Sequence, residues 1–85
     1  NTEYELMTKL ALAACFEAKG DLKTAMETLI PVIEIPDSSF SEPAMLSLAR
    51  LYRLDNKPEK AREILNKFVE QHADSPQLPF AKAQL

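Results

Sequence analysis

Residues 41–70 read SEPAMLSLARLYRLDNKPEKAREILNKFVE. Apolar and small residues recur in this stretch every three or four positions: Met45, Leu48, Ala49 and Tyr52, then Ala61, Leu65, Phe68 and Val69. That interval is the period of a helix with one face turned inward. The stretch predicts two helices joined by a short turn at Asn56-Lys57-Pro58. Pro58 suits a helix start, where the donor it lacks is unneeded. Ser41 is the expected N-cap, and Glu42 and Pro43 fit the first turn that follows it. The first of these helices should run to about Leu54 and the second should fade near His72, with Glu59, Lys60, Glu63 and Lys67 outside.

Moved back by 36 positions, the stretch lands on residues 5–34, ELMTKLALAACFEAKGDLKTAMETLIPVIE. Leu48 falls on Leu12, Ala49 on Ala13, Tyr52 on Phe16, Ala61 on Ala25, Leu65 on Leu29 and Val69 on Ile33. Repeats of this length mean stacked supersecondary units, a scaffold whose surface does the work. The first helix is expected over residues 3–19, with Leu6, Leu10, Ala13, Ala14 and Phe16 on its apolar face, ending at Gly20. Asp21 should cap the next, which carries Leu22, Ala25, Met26, Leu29 and Ile33. Pro31 deletes the amide that would bond to the Glu27 carbonyl, so a kink or an early end is expected near Ile30. The run from Leu29 to Ile35 also reads as a strand, but no second strand exists to pair with it.

The joints come next. Pro36 to Ser41 is rich in Pro, Asp and Ser and marks a loop between units. Asp74-Ser75-Pro76 is a second such loop, after which residues 77–85 look like the start of another first helix, with Pro79 in the place of Pro43.

At 85 residues the chain is one domain at most, and its composition, 46% hydrophobic and 27% charged with a single Gly, suits long helices. The net charge of −3 is unevenly spread: residues 1–40 hold three Lys against seven acids, residues 41–85 seven Lys and Arg against six acids. No basic stripe of the kind phosphates require is present, which argues against nucleic acid. One cysteine, Cys15, makes no internal disulfide. No run of 18 apolar residues predicts a membrane span. Beginning at Asn1 rather than Met, the chain reads as an excised piece of a longer one.

These residues resemble the tetratricopeptide repeat family, whose unit is a helix-turn-helix with a large, small and aromatic pattern in its first helix. Leu12-Ala13 with Phe16, Gly20-Asp21, Ala25 and Leu29 match it, as do Leu48-Ala49 with Tyr52, Asn56, Ala61, Leu65 and Phe68. The resemblance implies an all-α superhelix of antiparallel hairpins: repeat one over residues 3–37, repeat two over 41–75, and a partial third repeat or capping helix over 76–85. Ala13, Ala49, Ala25 and Ala61 would stand where helices cross closely, and Phe16 and Tyr52 would fill the wedge between units. Lys9 departs from the pattern, holding the place of Met45. The tail Phe68-Val69-Glu70 with Asp74-Ser75-Pro76 resembles periplasmic or membrane-anchored repeat proteins of the bacterial envelope. That places the chain on the envelope side, with the cytoplasm as the alternative.

The family's first helices line a concave groove that takes a peptide or protein segment. Carried over, the groove comprises Leu10, Ala14, Glu17 and Ala18, then Leu46, Arg50, Arg53 and Leu54, then Lys82. Arg50 and Arg53 are candidates to pair with a partner's carboxylate, since Arg offers a fork of donors. The alternative is that both are solvated and paired with Asp55 or Glu42. Leu10 and Ala14 replace the polar clamp that binds chaperone tails.

No catalytic site, cofactor or metal is expected. His72 lies too close in sequence to Asp74 and Ser75 to form a relay with them. Cys15, matching Leu51, reads as buried packing, and with His72 it supplies two ligands where zinc takes three or four. Met7, Met26 and Met45 read as core. The expected function is a protein interaction scaffold. The rival reading is a spacer or self-association module, in which the open end of a two-unit stack pairs with a second copy as a homodimer.

Overall fold

The computed structural model describes residues 2–35 and 37–85. Asn1 and the Pro36 end of the expected first joint lie outside the described residues. Among the described residues five helices follow in order: α1 (Thr2–Ala18), α2 (Leu22–Ile33), α3 (Ser41–Leu54), α4 (Pro58–Gln71) and α5 (Leu78–Ala83). Each packs on the next in the chain, and the described residues include no strand. This nearest-neighbour order is that of a helical repeat stack.

Two turns carry the repeat into the backbone. Gly20 has φ +82° and Asn56 has φ 59°. The Gly20 amide donates to the Glu17 carbonyl at 2.9 Å and the Asp21 amide to the Phe16 carbonyl at 2.9 Å. Thirty-six residues on, the Asn56 amide donates to the Arg53 carbonyl at 3.0 Å and the Lys57 amide to the Tyr52 carbonyl at 2.8 Å. Both are the left-handed closure of a helix by a six-to-one and a five-to-two bond, for which Gly is the first choice and Asn the second. Asp21 then caps α2, its carboxylate accepting from the Thr24 amide at 3.2 Å.

The joints match each other at a step of 37. The Phe40 amide donates to Ser38 Oγ and the Gln77 amide to Ser75 Oγ, each at 3.0 Å. The Ala44 amide donates to the Phe40 carbonyl and the Ala81 amide to the Gln77 carbonyl. Ala81, fully buried, therefore takes the place of Ala44, also fully buried. The second joint is one residue longer than the shift of 36 implies, and Pro79 stands opposite Glu42 rather than Pro43.

The core is Leu6 and Ala13 of α1, Ala25, Met26, Leu29, Val32 and Ile33 of α2, and the inward faces of α3 and α4, closed by Ala81. Val32, Ala44, Leu51, Ile64 and Ala81 join it beyond the expected set. Helix α2 does not stop at Ile30. It runs through Pro31 to Ile33, because Pro31 is exposed while Val32 and Ile33 are buried. An interior Pro costs about 3 kcal/mol, and burying two branched side chains at about 1.5–3 kcal/mol each offsets it.

Other expectations change. Ser41 is not an N-cap; it is the first residue of α3, preceded by Phe40, and is fully buried. Cys15 and Met7 are exposed, not core, although Met26 and Met45 are buried. Leu12 is 46% exposed whereas its counterpart Leu48 is sealed. Phe16 and Tyr52 are half-buried, and the Lys60 ammonium lies 5.9 Å from the Tyr52 ring centre.

Candidate functional site

On α1, Leu10, Ala14 and Glu17 follow at intervals of four and three, so they share one side of the helix. Leu46, Arg50 and Arg53 do the same on α3, at the same positions of the repeat. The rows meet where Arg50 Nη2 donates to Glu17 Oε1 at 2.6 Å. Beneath this pair lies a cavity of about 40 Å³, with Leu10, Ala14 and Ser47 around it and Ala13, Leu29 and Leu51 as its floor. It has room for about one or two waters and no more. The ion pair is partly exposed, 52% at Arg50 and 28% at Glu17, so its contribution to stability is about 0–1 kcal/mol.

Leu46 sits beside an open depression of about 560 Å³, lined also by Ser39, Glu42, Pro43, Ser47 and Gln77. Its size is that of sites which take a small ligand or a few side chains, roughly 300–1,000 Å³. Arg53 reaches the other way: it donates to Gln84 Oε1 at 2.9 Å and to the Gln84 carbonyl, tying α3 to the end of α5. Lys82 is exposed on the last turn of α5. The structure thus brings Leu10, Ala14, Glu17 and Arg50 together, with Leu46 in the adjoining depression and Arg53 turned to Gln84 at the end of α5. Neither arginine pairs with Asp55 or Glu42. Asp55 instead holds Lys57 at 3.2 Å, and Glu42 is engaged elsewhere.

That engagement is a polar cluster at the second joint. Ser41 Oγ lies 3.3 Å from His72 Nε2, His72 Nδ1 lies 3.9 Å from Glu42 Oε2, and Ser75 Oγ donates to Glu42 Oε1. The Phe68 ring packs beside the imidazole, centroids 5.3 Å apart. Serine, histidine and carboxylate stand in relay order, but the Ser41 hydroxyl is sealed from any substrate and serves the packing of α3 on the end of α4. The sequence reading missed this cluster and Gln84. Ser41 and His72 are 31 residues apart and neither belongs to a periodic pattern. Among the described residues, no three His, Cys, Asp or Glu side chains converge as metal ligands. No helix among them is long and apolar enough to cross a membrane.

Residues 43–75 match the family model of the tetratricopeptide repeat. No curated protein and no solved structure matches the chain at a significant level. The match spans α3 from Pro43, the Asn56 turn, α4 and the second joint as far as Ser75. A repeat of this family suggests a protein–protein interaction scaffold, and such modules are typically non-catalytic.

Proposed function

We propose that this chain, whose residues 43–75 are a tetratricopeptide repeat, is one domain of two repeats and the start of a third that presents a groove to a peptide or protein segment. The observation that carries the reading is the parallel pair of rows, Leu10-Ala14-Glu17 and Leu46-Arg50-Arg53, bridged by Arg50 and Glu17 and bordered by the open depression at Leu46. Apolar side chains of the segment would enter that depression. Arg50 and Arg53 would take its carboxylates, exchanging Glu17 and Gln84 for the partner's oxygens, and Lys82 would add charge at the α5 end. The Phe68-Val69-Glu70 and Asp74-Ser75-Pro76 pattern supports a setting in bacterial envelope assembly or secretion.

The test is capture of a partner by the full-length protein that contains these residues, followed by the Arg50→Ala/Arg53→Ala variant. Affinity for the captured protein is expected to fall at least about thirtyfold, the loss of one interface hot spot of about 2 kcal/mol. Unchanged affinity overturns the role given to the arginines.

A further inference from the structure

We infer that the depression beside Leu46 is a subsite for a Lys or Arg side chain of the bound segment, its aliphatic stem lying on Leu46 and Pro43 and its charge reaching Glu42. This subsite rests on the groove reading above and states what the segment carries at one position.

The lining is one-sided in charge. Pro43 and Leu46 supply apolar surface, Ser39 and Ser47 hydroxyls, Gln77 an amide and Glu42 a carboxylate, with no Lys or Arg among them. The Glu42 side chain is 35% exposed, and the group of opposite sign that faces it among the described residues is His72, Nδ1 lying 3.9 Å from Oε2. An imidazole carries a positive charge only when protonated. The ion pairs made by Lys and Arg lie elsewhere, Arg50 with Glu17 and Lys57 with Asp55. Glu42 is thus a partly covered carboxylate with no fixed cation, a costly state that a cation brought from outside relieves. It has acceptor sites to spare: a carboxylate offers about four, and Ser75 Oγ takes one.

The other groups of the depression favour the same occupant. Lys and Arg lay their methylenes along apolar surface and keep the charged head among polar groups, and about 560 Å³ bordered by Pro43, Leu46 and three polar side chains offers both. A purely aliphatic side chain would cover Glu42 without compensating it, and an acid would meet a like charge. Register then fixes the neighbours. Glu42, Leu46 and Arg50 follow at intervals of four, so one side of α3 carries acid, apolar and base on successive turns about 6 Å apart. Arg50 is 52% exposed and gives Nη2 to Glu17, which leaves donors of its fork for a second carboxylate. An extended segment covers the roughly 12 Å from Glu42 to Arg50 in about four residues, with every second side chain on the same face. The matching segment carries Lys or Arg, an apolar residue two positions away and Asp or Glu four positions away.

The experiment is a ligand-observed NMR titration of the full-length protein that contains these residues, with two acetylated and amidated peptides, Lys-Ala-Leu-Ala-Asp and Gln-Ala-Leu-Ala-Asp. The expected result is about fivefold tighter binding of the Lys peptide, which is what one partly exposed ion pair supplies at best. Glu42→Gln should abolish that preference while its amide oxygen still accepts from Ser75. Ser39→Lys, which puts a cation into the depression and leaves Glu42 in place, should abolish it too, and circular dichroism confirms that both variants keep their helices. Equal binding of the two peptides, with both weakened by Arg50→Ala/Arg53→Ala, overturns the subsite and leaves the groove standing. A Lys preference that survives Glu42→Gln overturns it as well, because another acid then holds the Lys. Binding of neither peptide at several millimolar overturns the subsite and the groove together.

Discussion

Leu12 and Leu48 occupy one position of the repeat, and one is nearly half exposed while the other is sealed. The same holds for Cys15 against Leu51 and for Thr8 against Ala44. The helices around them are equally regular, so the difference lies in what packs on them. Helix α3 is flanked by α2 and α4, and α1 by α2. In a stack where each unit touches only its neighbours, position in the stack decides burial, and residue type follows only in part.

The sharpest way to break the comparison is to truncate both leucines. Leu48→Ala should cost about 2–5 kcal/mol, the range for opening a cavity in a packed core. Leu12→Ala should stay within about 0.5 kcal/mol, as a surface change does. Urea unfolding of the two variants checks this. Equal losses would mean that α1 is covered as fully as α3.

The contrast also explains what could be read from the chain alone. Helix number, the turns at Gly20 and Asn56, and the end of α4 at His72 were legible, because 3.6-residue periodicity and turn chemistry are local. Cys15 was misread as buried because the repeat pattern records what a unit needs on average, not which neighbour a given unit has. Of the kink or early end expected at Pro31, the early end does not occur, because the burial of Val32 and Ile33 outweighs a local preference. At the site, the rows on α1 and α3 followed from spacing and the family resemblance. The partners of the arginines did not: Glu17 and Gln84 lie 33 and 31 residues away, and no local rule pairs them.

The two joints differ less in shape than in what holds them. Both use a serine hydroxyl to receive an amide two residues on, but the second adds the Ser41, His72, Glu42 and Ser75 cluster. In the first joint Ile35, 39% exposed, stands where His72 would be. Removing the buried hydroxyl should cost about 1–3 kcal/mol, since the imidazole loses its partner in a packed setting. Ser41→Ala against Ile35→Ala in thermal unfolding separates the joints, the first lowering the midpoint and the second leaving it nearly unchanged. A neutral Ser41→Ala would show that the second joint is held by its backbone bonds alone.

The smallest difference sits at the turns, where the two units agree in geometry and differ in residue. A β-carbon on Gly20 would meet nothing within 4 Å, so a substitution there is charged only for the positive φ of 82°. Left-handed backbone costs an ordinary residue about 1–2 kcal/mol, and the reduced freedom of the unfolded chain returns about 0.4–1 kcal/mol. Gly20→Ala should therefore destabilise by about 1 kcal/mol. Gly20→Asn should cost less, because Asn already holds the same conformation at position 56 with φ 59°. In a domain of this length about 1 kcal/mol moves the thermal midpoint by about 4–8 °C, so the order of the two variants is measurable. If Asn at position 20 costs as much as Ala, the two turns are alike in hydrogen bonding only, and the first unit depends on glycine for a reason the second does not share.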